Sequence, residues 1–464
     1  IPSGDGDMNG NGFGDYVGWT FRKQPGFLDI QTWQGNGTSG RQIAHDLGSV
    51  PGFIIIKSYL NGGGTGWMCY HRSLGNTKAL RMDSTNAASS YVNSAFWNNT
   101  DPTSTHFTLG NHEDVNGDFS SYNRTYIAYI FAHDDQSFGT SGNQSIVKCG
   151  SFTGANHTES LGFEPQWLLA KRTDSTGDWF LVDNKRGFFD KDAGDSVNLR
   201  PNTDNDENTA WFHLNSDGFY YSSSSATYIY VAIRRSHKPP TLATQVFDVN
   251  TTTTSSSTTT FLSGFVDDMI FYPFRSSGGT RIQSRLTGDG YLSFNANGAE
   301  ATTGTNWDRM DGVEISSSSG INLVDYHFKR AEGFFDVVCY DGDGNANRNV
   351  PHNLGVAAEL IIVKKRNDIS NWTVWSDQLS TNHILQFVSN KTSAEISVGF
   401  SYVSFSTHTI FRVGSDGDVN TVNNNYIAYL FASLPGISKI GKYDGTGNDV
   451  NVDCGFSAGA RFVL

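Results

Sequence analysis

Cysteine is scarce in this chain. Cys69, Cys149, Cys339 and Cys454 are four in 464 residues, and none recurs at an equivalent place in the repeat traced below. A disulfide built into every unit is therefore excluded, and with no Cys-x-x-Cys pair there is no structural zinc motif. The expected role is that of small buried hydrophobes in a chain folded in a reducing cytoplasm. Positive charge is also short: 33 Lys and Arg face 46 Asp and Glu, for a net charge of −13. Without a basic patch interleaved with aromatics, nucleic acid is not an expected partner. No apolar run approaches the ~20 residues of a membrane span, and no signal peptide is visible. Helical periodicity and coiled-coil heptads are missing. So are a Gly-x-Ser-x-Gly elbow, a phosphate-cradling glycine loop with its lysine, and His-Glu-x-x-His. Adjacent acidic pairs such as Glu113-Asp114 and Asp267-Asp268 would point to opposite faces of a strand and make poor glycosidase partners. The expectation is a protein that is not an enzyme.

What the chain has in quantity is repetition. Tyr126-Ile-Ala-Tyr-Ile-Phe131 returns as Tyr426-Ile-Ala-Tyr-Leu-Phe431, and Gly26-Phe-Leu-Asp29 returns as Gly333-Phe-Phe-Asp336. His45 meets His352, Lys57 meets Lys364, Trp67 meets Trp372, and Asp114-Val-Asn116 meets Asp418-Val-Asn420. Two shorter copies lie between, closing at Tyr228–Ile233 and Leu323–Phe328. Tyr16–Phe21 aligns with the closing strand that ends at Phe328, and residues 440–464 align with the opening of the unit that starts near Ile146. The expected division is therefore 1–24 as the end of a preceding unit, 25–137 long, 138–238 short, 239–331 short, 332–435 long, and 436–464 as the start of a further unit. On this reading the chain is a fragment of a longer array. Such arrays are usually spacers, scaffolds or multivalent binders.

Each unit reads as about seven short strands broken by turn residues. Apolar runs such as Gly52-Phe-Ile-Ile-Ile-Lys57 have no polar face and belong in mid-sheet, covered on both sides. Gly35-Asn-Gly37 and Asp341-Gly-Asp-Gly344 follow the first strand of the long units, where φ > 0 is needed. The predicted fold is all-β, with tandem antiparallel sandwiches of jelly-roll or immunoglobulin-like type. The Thr- and Ser-only run 251–260 is expected to be an enlarged loop within a unit. Short linkers are expected at 23–25, 134–138, 235–240 and 329–333, so that neighbouring units stack closely.

Candidate sites are few. Asp5-Gly-Asp-Met-Asn9-Gly-Asn11 resembles the start of a calcium loop but has Tyr16 where a bidentate Glu belongs. The copies at Asp114–Asp118 and Asp416–Asn420 are also partial, so no cofactor is expected, with calcium the one alternative. His45 and His352 recur, which favours a hydrogen bond to the adjoining loop over catalysis. Trp67, Trp179 and Trp372 recur at one landmark, as packing residues do. Trp97, Trp211 and Trp307 lie in more variable loops beside polar residues and are the candidate ligand-binding aromatics.

The set Gly-Phe-x-Asp, Gly-x-Gly, Leu-Gly, Phe-Ile-Ile-Ile-Lys, Ala95-Phe-Trp-Asn-Asn-Thr100 and Asp-Val-Asn before Tyr-Ile-Ala-Tyr-Ile-Phe-Ala is familiar. It resembles repeat domains of virion structural and tail-fibre proteins of marine phages, notably those of cyanobacteria. The resemblance implies a virion appendage, self-associated as a homotrimer and joined to other virion proteins, that contacts a host cell-surface glycan or protein. The alternative is a bacterial extracellular filament or lectin-like adhesin built from the same sandwiches.

Overall fold

The structure, a computed structural model, describes residues 16–60, 65–90, 95–117, 124–139, 141–194, 196–236, 238–255, 257–275, 279–387, 396–399 and 401–464. Among the described residues the strands pair antiparallel and repeat one plan in four modules, with one isolated parallel bridge between Asp190 and Leu214. In module 1 the large sheet runs Leu28–Gln34, Thr125–Phe131, Phe53–Leu60, Met68–His71, Lys78–Arg81, Ser89–Ser90. Its small sheet pairs Arg41–Ala44 with His106–Leu109. Module 4 repeats the large sheet as Phe335–Asp341, Asn425–Phe431, Leu360–Lys365, Trp372–Ser376, His383–Phe387, Ile396–Ser397. Module 3 does so as Phe247–Thr253, Asn322–Phe328, Met269–Pro273, Thr280–Ser284, Gly290–Ser293, Ala301–Thr302. Module 2 keeps the inner part of the plan: Val147–Gly154, Ala226–Arg234, Pro165–Arg172, Trp179–Asp183. The closing strand thus always inserts between the first and the third. That pairing, with the second strand on the small sheet, is the jelly-roll pattern; the meander of strands three to six departs from it.

Register explains why the closing strand recurs in sequence. Its last Phe faces the start of two strands at once: Phe131 lies opposite Leu28 and Phe53, Phe328 opposite Phe247 and Met269, Phe431 opposite Phe335 and Leu360. A central strand with neighbours on both edges and side chains on both faces tolerates little change.

The chain forms two compact units. One holds residues up to Arg81 and Ser89–Ser137; the other holds Phe138–Leu464 with Met82–Ala88. In the second unit the outer face of the large sheet of module 4 (Val337, Ile362, Trp372, Val374, Tyr429) joins that of module 3 (Phe247, Met269, Ile282, Leu292, Phe328) and the interior of module 2 in one continuous apolar core. The other face of module 4, with Ile361, Val363, Tyr426 and Leu430, fills its own sandwich. The apolar run Leu360–Val363 is therefore covered on both sides, as expected. Its counterpart in module 1 differs: Ile54 and Ile56 are buried but Ile55 is only half-buried.

One other expectation needs correction. Residues 251–260 are mostly strand, the end of Phe247–Thr253 and the body of Ser257–Leu262, with Thr251 opposite Val324 and Thr259 opposite Ile315. Threonine is β-branched and suits a half-exposed pleat, so a run that looks like low complexity extends two strands. Residues 436–464 contain no strand, and Phe462 rests on Phe247, Phe271, Tyr326 and Phe328, at ring separations of 5.0–6.4 Å.

Candidate functional site: the Trp211 face of module 2

Trp211 is the bend residue between the strands Asn208–Ala210 and Phe212–Asn215; Ala210 and Phe212 on either side are buried, while its own ring is 43% exposed. The ring leans on Phe180, with centroids 5.5 Å apart at 46°. Its carbonyl accepts the Ser222 N–H at 2.8 Å, and Ser222 Oγ lies 3.0 Å from His213 Nε2. The next cross-strand pair, His213 opposite Tyr220, continues the face, with their rings 6.3 Å apart. Lys191 Nζ lies 6.0 Å from the Tyr220 ring centre. His213 is itself buried, so the accessible part of this face is the Trp211 ring with the half-buried Tyr220 and the exposed Ser222, an aromatic surface with a hydroxyl beside it that suits the apolar face of a sugar ring.

The other two candidate aromatics lie inside. Trp97 is 3% exposed; it packs edge-on to Tyr70 and donates Nε1–H to the Lys78 carbonyl at 3.1 Å. Trp307 is 2% exposed, donates to the Gly288 carbonyl at 2.8 Å and carries the Arg285 guanidinium over its ring at 5.3 Å. Polar neighbours in sequence suggest surface, but here an internal carbonyl satisfies each indole N–H. Of the recurring tryptophans, Trp179 and Trp372 are buried while Trp67 is 36% exposed.

The recurring polar residues hold loops. His45 Nε2 meets the Thr103 carbonyl at 3.1 Å and its Nδ1 accepts the Leu47 N–H; His352 repeats this with the Thr407 carbonyl at 3.1 Å and the Leu354 N–H. Burial lowers the pKa of both, that of His352 to about 4, so both rings are neutral at pH 7. Asn116 donates to Asn36 Oδ1 and to the Thr38 and Gly110 carbonyls; Asn420 donates to Asp343 Oδ1 and to the Asn345 and Gly414 carbonyls. Each asparagine closes the turn that Gly37 (φ 65°) or Gly344 (φ 71°) makes possible. The Asp-Val-Asn motif, read from sequence as a partial calcium loop, thus commits its Asn to the fold. The Asp5–Asn11 stretch lies outside the described residues.

A polar cluster that sequence reasoning missed joins modules 2, 3 and 4. Arg330 Nη1 donates to Glu164 Oε2 at 2.7 Å, and its Nε lies 3.2 Å from Asp268 Oδ1. Arg235 reaches Asp336 Oδ1 at 3.1 Å and Glu164 Oε1 at 3.3 Å. All five side chains are buried. Burial alone would raise the Asp268 pKa; Arg330 and the neighbouring cations outweigh it and hold the carboxyl below its usual range. Arg235 and Arg330 fall in segments read from sequence as linkers. The only sequence signal was an arginine within two residues of the end of each short module's closing strand.

Residues 8–236 and 243–464 each match a family model described as Domain of unknown function (DUF7483). The chain belongs to this DUF7483 family. Each DUF7483 copy here holds one long and one short module, so the family unit is larger than a single sandwich. No curated protein matches the chain.

Proposed function

We propose that this DUF7483 protein is a non-enzymatic attachment component of a phage tail fibre or related virion appendage, and that Trp211 contacts a host-surface glycan. The carrying observation is the division of labour among its residues. What recurs between modules (the histidines, the Asp-Val-Asn asparagines, the closing-strand aromatics) holds loops and cores, whereas Trp211 belongs to one module and presents its ring outward. Repeated scaffolding with a module-specific contact is the economy of a multivalent binder, in which weak contacts multiply through effective concentration. A glycan array probed with the full chain and with Trp211→Ala tests it. The expected result is saturable binding to a surface polysaccharide that falls at least about tenfold in the variant. Unchanged binding by Trp211→Ala, or loss of glycan mass on incubation, would refute this reading.

A further inference from the structure

Asparagine followed by glycine is the pair most open to attack by its own backbone. Once it has lost its proton, the glycine nitrogen, unhindered by a side chain, can reach the asparagine Cγ. Three such pairs lie among the described residues: Asn36-Gly37, Asn116-Gly117 and Asn297-Gly298. The fold ties up the first two. Asn36 Oδ1 accepts the Thr38 N–H and Asn116 Nδ2, each at 3.0 Å, and the Gly37 N–H donates to the Asn116 carbonyl at 2.7 Å. Asn116 is fully buried, shares its Nδ2 among three acceptors, and accepts Arg41 Nη1 on Oδ1 at 3.0 Å. Neither amide can swing onto the next nitrogen without breaking these bonds.

Asn297 differs. Its side chain is exposed and makes no hydrogen bond, the Gly298 N–H has no acceptor, and a side chain at Gly298 would meet nothing within 4 Å. What the fold holds is the Asn297 carbonyl, which accepts Lys364 Nζ at 3.3 Å and the Ser370 N–H at 3.0 Å. That oxygen belongs to the same peptide group as the Gly298 N–H. When the N–H ionises, its negative charge spreads onto this oxygen. Two donors already aimed there, one of them an ammonium, stabilise that charge as an oxyanion hole does. Lys364 is fully buried, and burial lowers its pKa to about 8, which leaves the ammonium mostly charged at pH 7. A second joint in the same unit has the lysine without the amide: Lys171 Nζ donates to the Thr85 carbonyl at 3.3 Å, and a threonine offers no Cγ carbonyl to attack.

We propose that Asn297 is a site of spontaneous modification to isoaspartate, activated by the Lys364 ammonium and the Ser370 N–H at its carbonyl. Solvent hydroxide takes the Gly298 amide proton. The nitrogen bonds to Asn297 Cγ, and the Cγ–Nδ2 bond breaks to release ammonia, which takes its third hydrogen from water. One water then opens the five-membered succinimide. Attack at the main-chain carbon frees that carbon from the Gly298 nitrogen and leaves isoaspartate, whose chain runs through Cβ and Cγ; attack at Cγ leaves ordinary aspartate. No redox partner is needed. In the isoaspartyl form a free carboxylate replaces the carbonyl that Lys364 and Ser370 held. The buried ammonium thereby gains a counter-charge at the joint between modules 3 and 4.

Peptide mass spectrometry of the full chain aged at neutral pH tests this, with isoaspartate located by electron-transfer fragmentation. Asn297 is expected to convert at least about tenfold faster than Asn36 or Asn116. It also converts faster in the folded chain than in the same chain unfolded in urea, because only the fold brings Lys364 to its carbonyl. Lys364→Met, with folding checked by circular dichroism, slows conversion at Asn297 at least about tenfold, the rate equivalent of one charge-assisted hydrogen bond, and leaves Asn36 unchanged. Conversion at Asn297 that is slower in the folded chain than in urea overturns the proposal, whether or not the variant folds. So does a folded Lys364→Met variant that converts at the wild-type rate, or equal conversion at all three asparagines.

Discussion

His327 occupies a place where modules 1 and 4 have Ile130 and Leu430, and Asp325 stands where they have Ala128 and Ala428. Inside module 3 the imidazole is clamped between Asp267 Oδ2 at 2.7 Å and Asp325 Oδ2 at 3.0 Å, all three residues fully buried. Burial alone would lower the His327 pKa, but the hydrogen bonds its ring N–H groups donate to the two carboxylates outweigh it and raise it to about 9. The folded state therefore holds this proton more tightly than the unfolded chain. The stabilisation is complete below about pH 6.5 and drains away as the pH rises to about 9. Removing the imidazole alone, as His327→Leu, strands two buried carboxylates and should cost about 3–5 kcal/mol. Replacing all three by the module 4 residues (Asp267→Ala, Asp325→Ala, His327→Leu) should be neutral or stabilising and should remove the clamp's contribution to pH dependence. Urea midpoints measured from pH 6 to 9.5 check both expectations. The clamp was not legible in sequence, because its third member, Asp267, lies 58 residues before Asp325.

The element most open to sequence reading was the turn after the first strand with the asparagine that closes it. Gly-x-Gly, Asp-Val-Asn and the closing-strand tyrosine recur together, and the structure ties them into one hydrogen-bonded knot. Arg348 Nη1 bonds the Asp341 carbonyl and, at 3.1 Å, Asn420 Oδ1, while Tyr426 Oη donates to the Gly417 carbonyl at 3.0 Å. Arg41, Asn116 and Tyr126 do the same in module 1. Asn420→Ala removes three buried donor contacts, at ~0.5–1.5 kcal/mol each, and should destabilise the second unit by about 2–4 kcal/mol. Asn116→Ala should act equally on the first unit. Chemical denaturation followed by a fluorescence probe in each unit reads the two separately. Equal insensitivity of both units would show that the recurring motif is incidental to the fold.

For the whole molecule, the expectation of units strung in series holds for the order of modules but understates how they bind one another. Modules 2, 3 and 4 share an apolar core, an Arg330–Glu164–Asp268–Asp336–Arg235 cluster and an Arg366 that reaches Asp190 and Glu300, each at 2.9 Å. Three modules so joined should unfold in one step. Arg330→Met leaves Asp268 without its guanidinium partner and should lower the stability of that step by about 3–5 kcal/mol while leaving the first unit's transition in place. Calorimetry of the full chain resolves this. Separate melting of the three modules would contradict the shared core.

Residue order alone dictated the sandwich class, the repeat, the structural histidines and the loop asparagines. These depend on alternation, turn geometry and hydrogen bonds confined to one module, and every copy states them again. Which tryptophan meets solvent, where charge is buried and which sheet face is covered were decided only by tertiary structure. Trp67, Trp179 and Trp372 share one landmark, yet their exposure runs from 36% to 0%. The difference comes from whatever neighbour covers each copy, and a motif within one module carries no record of that neighbour.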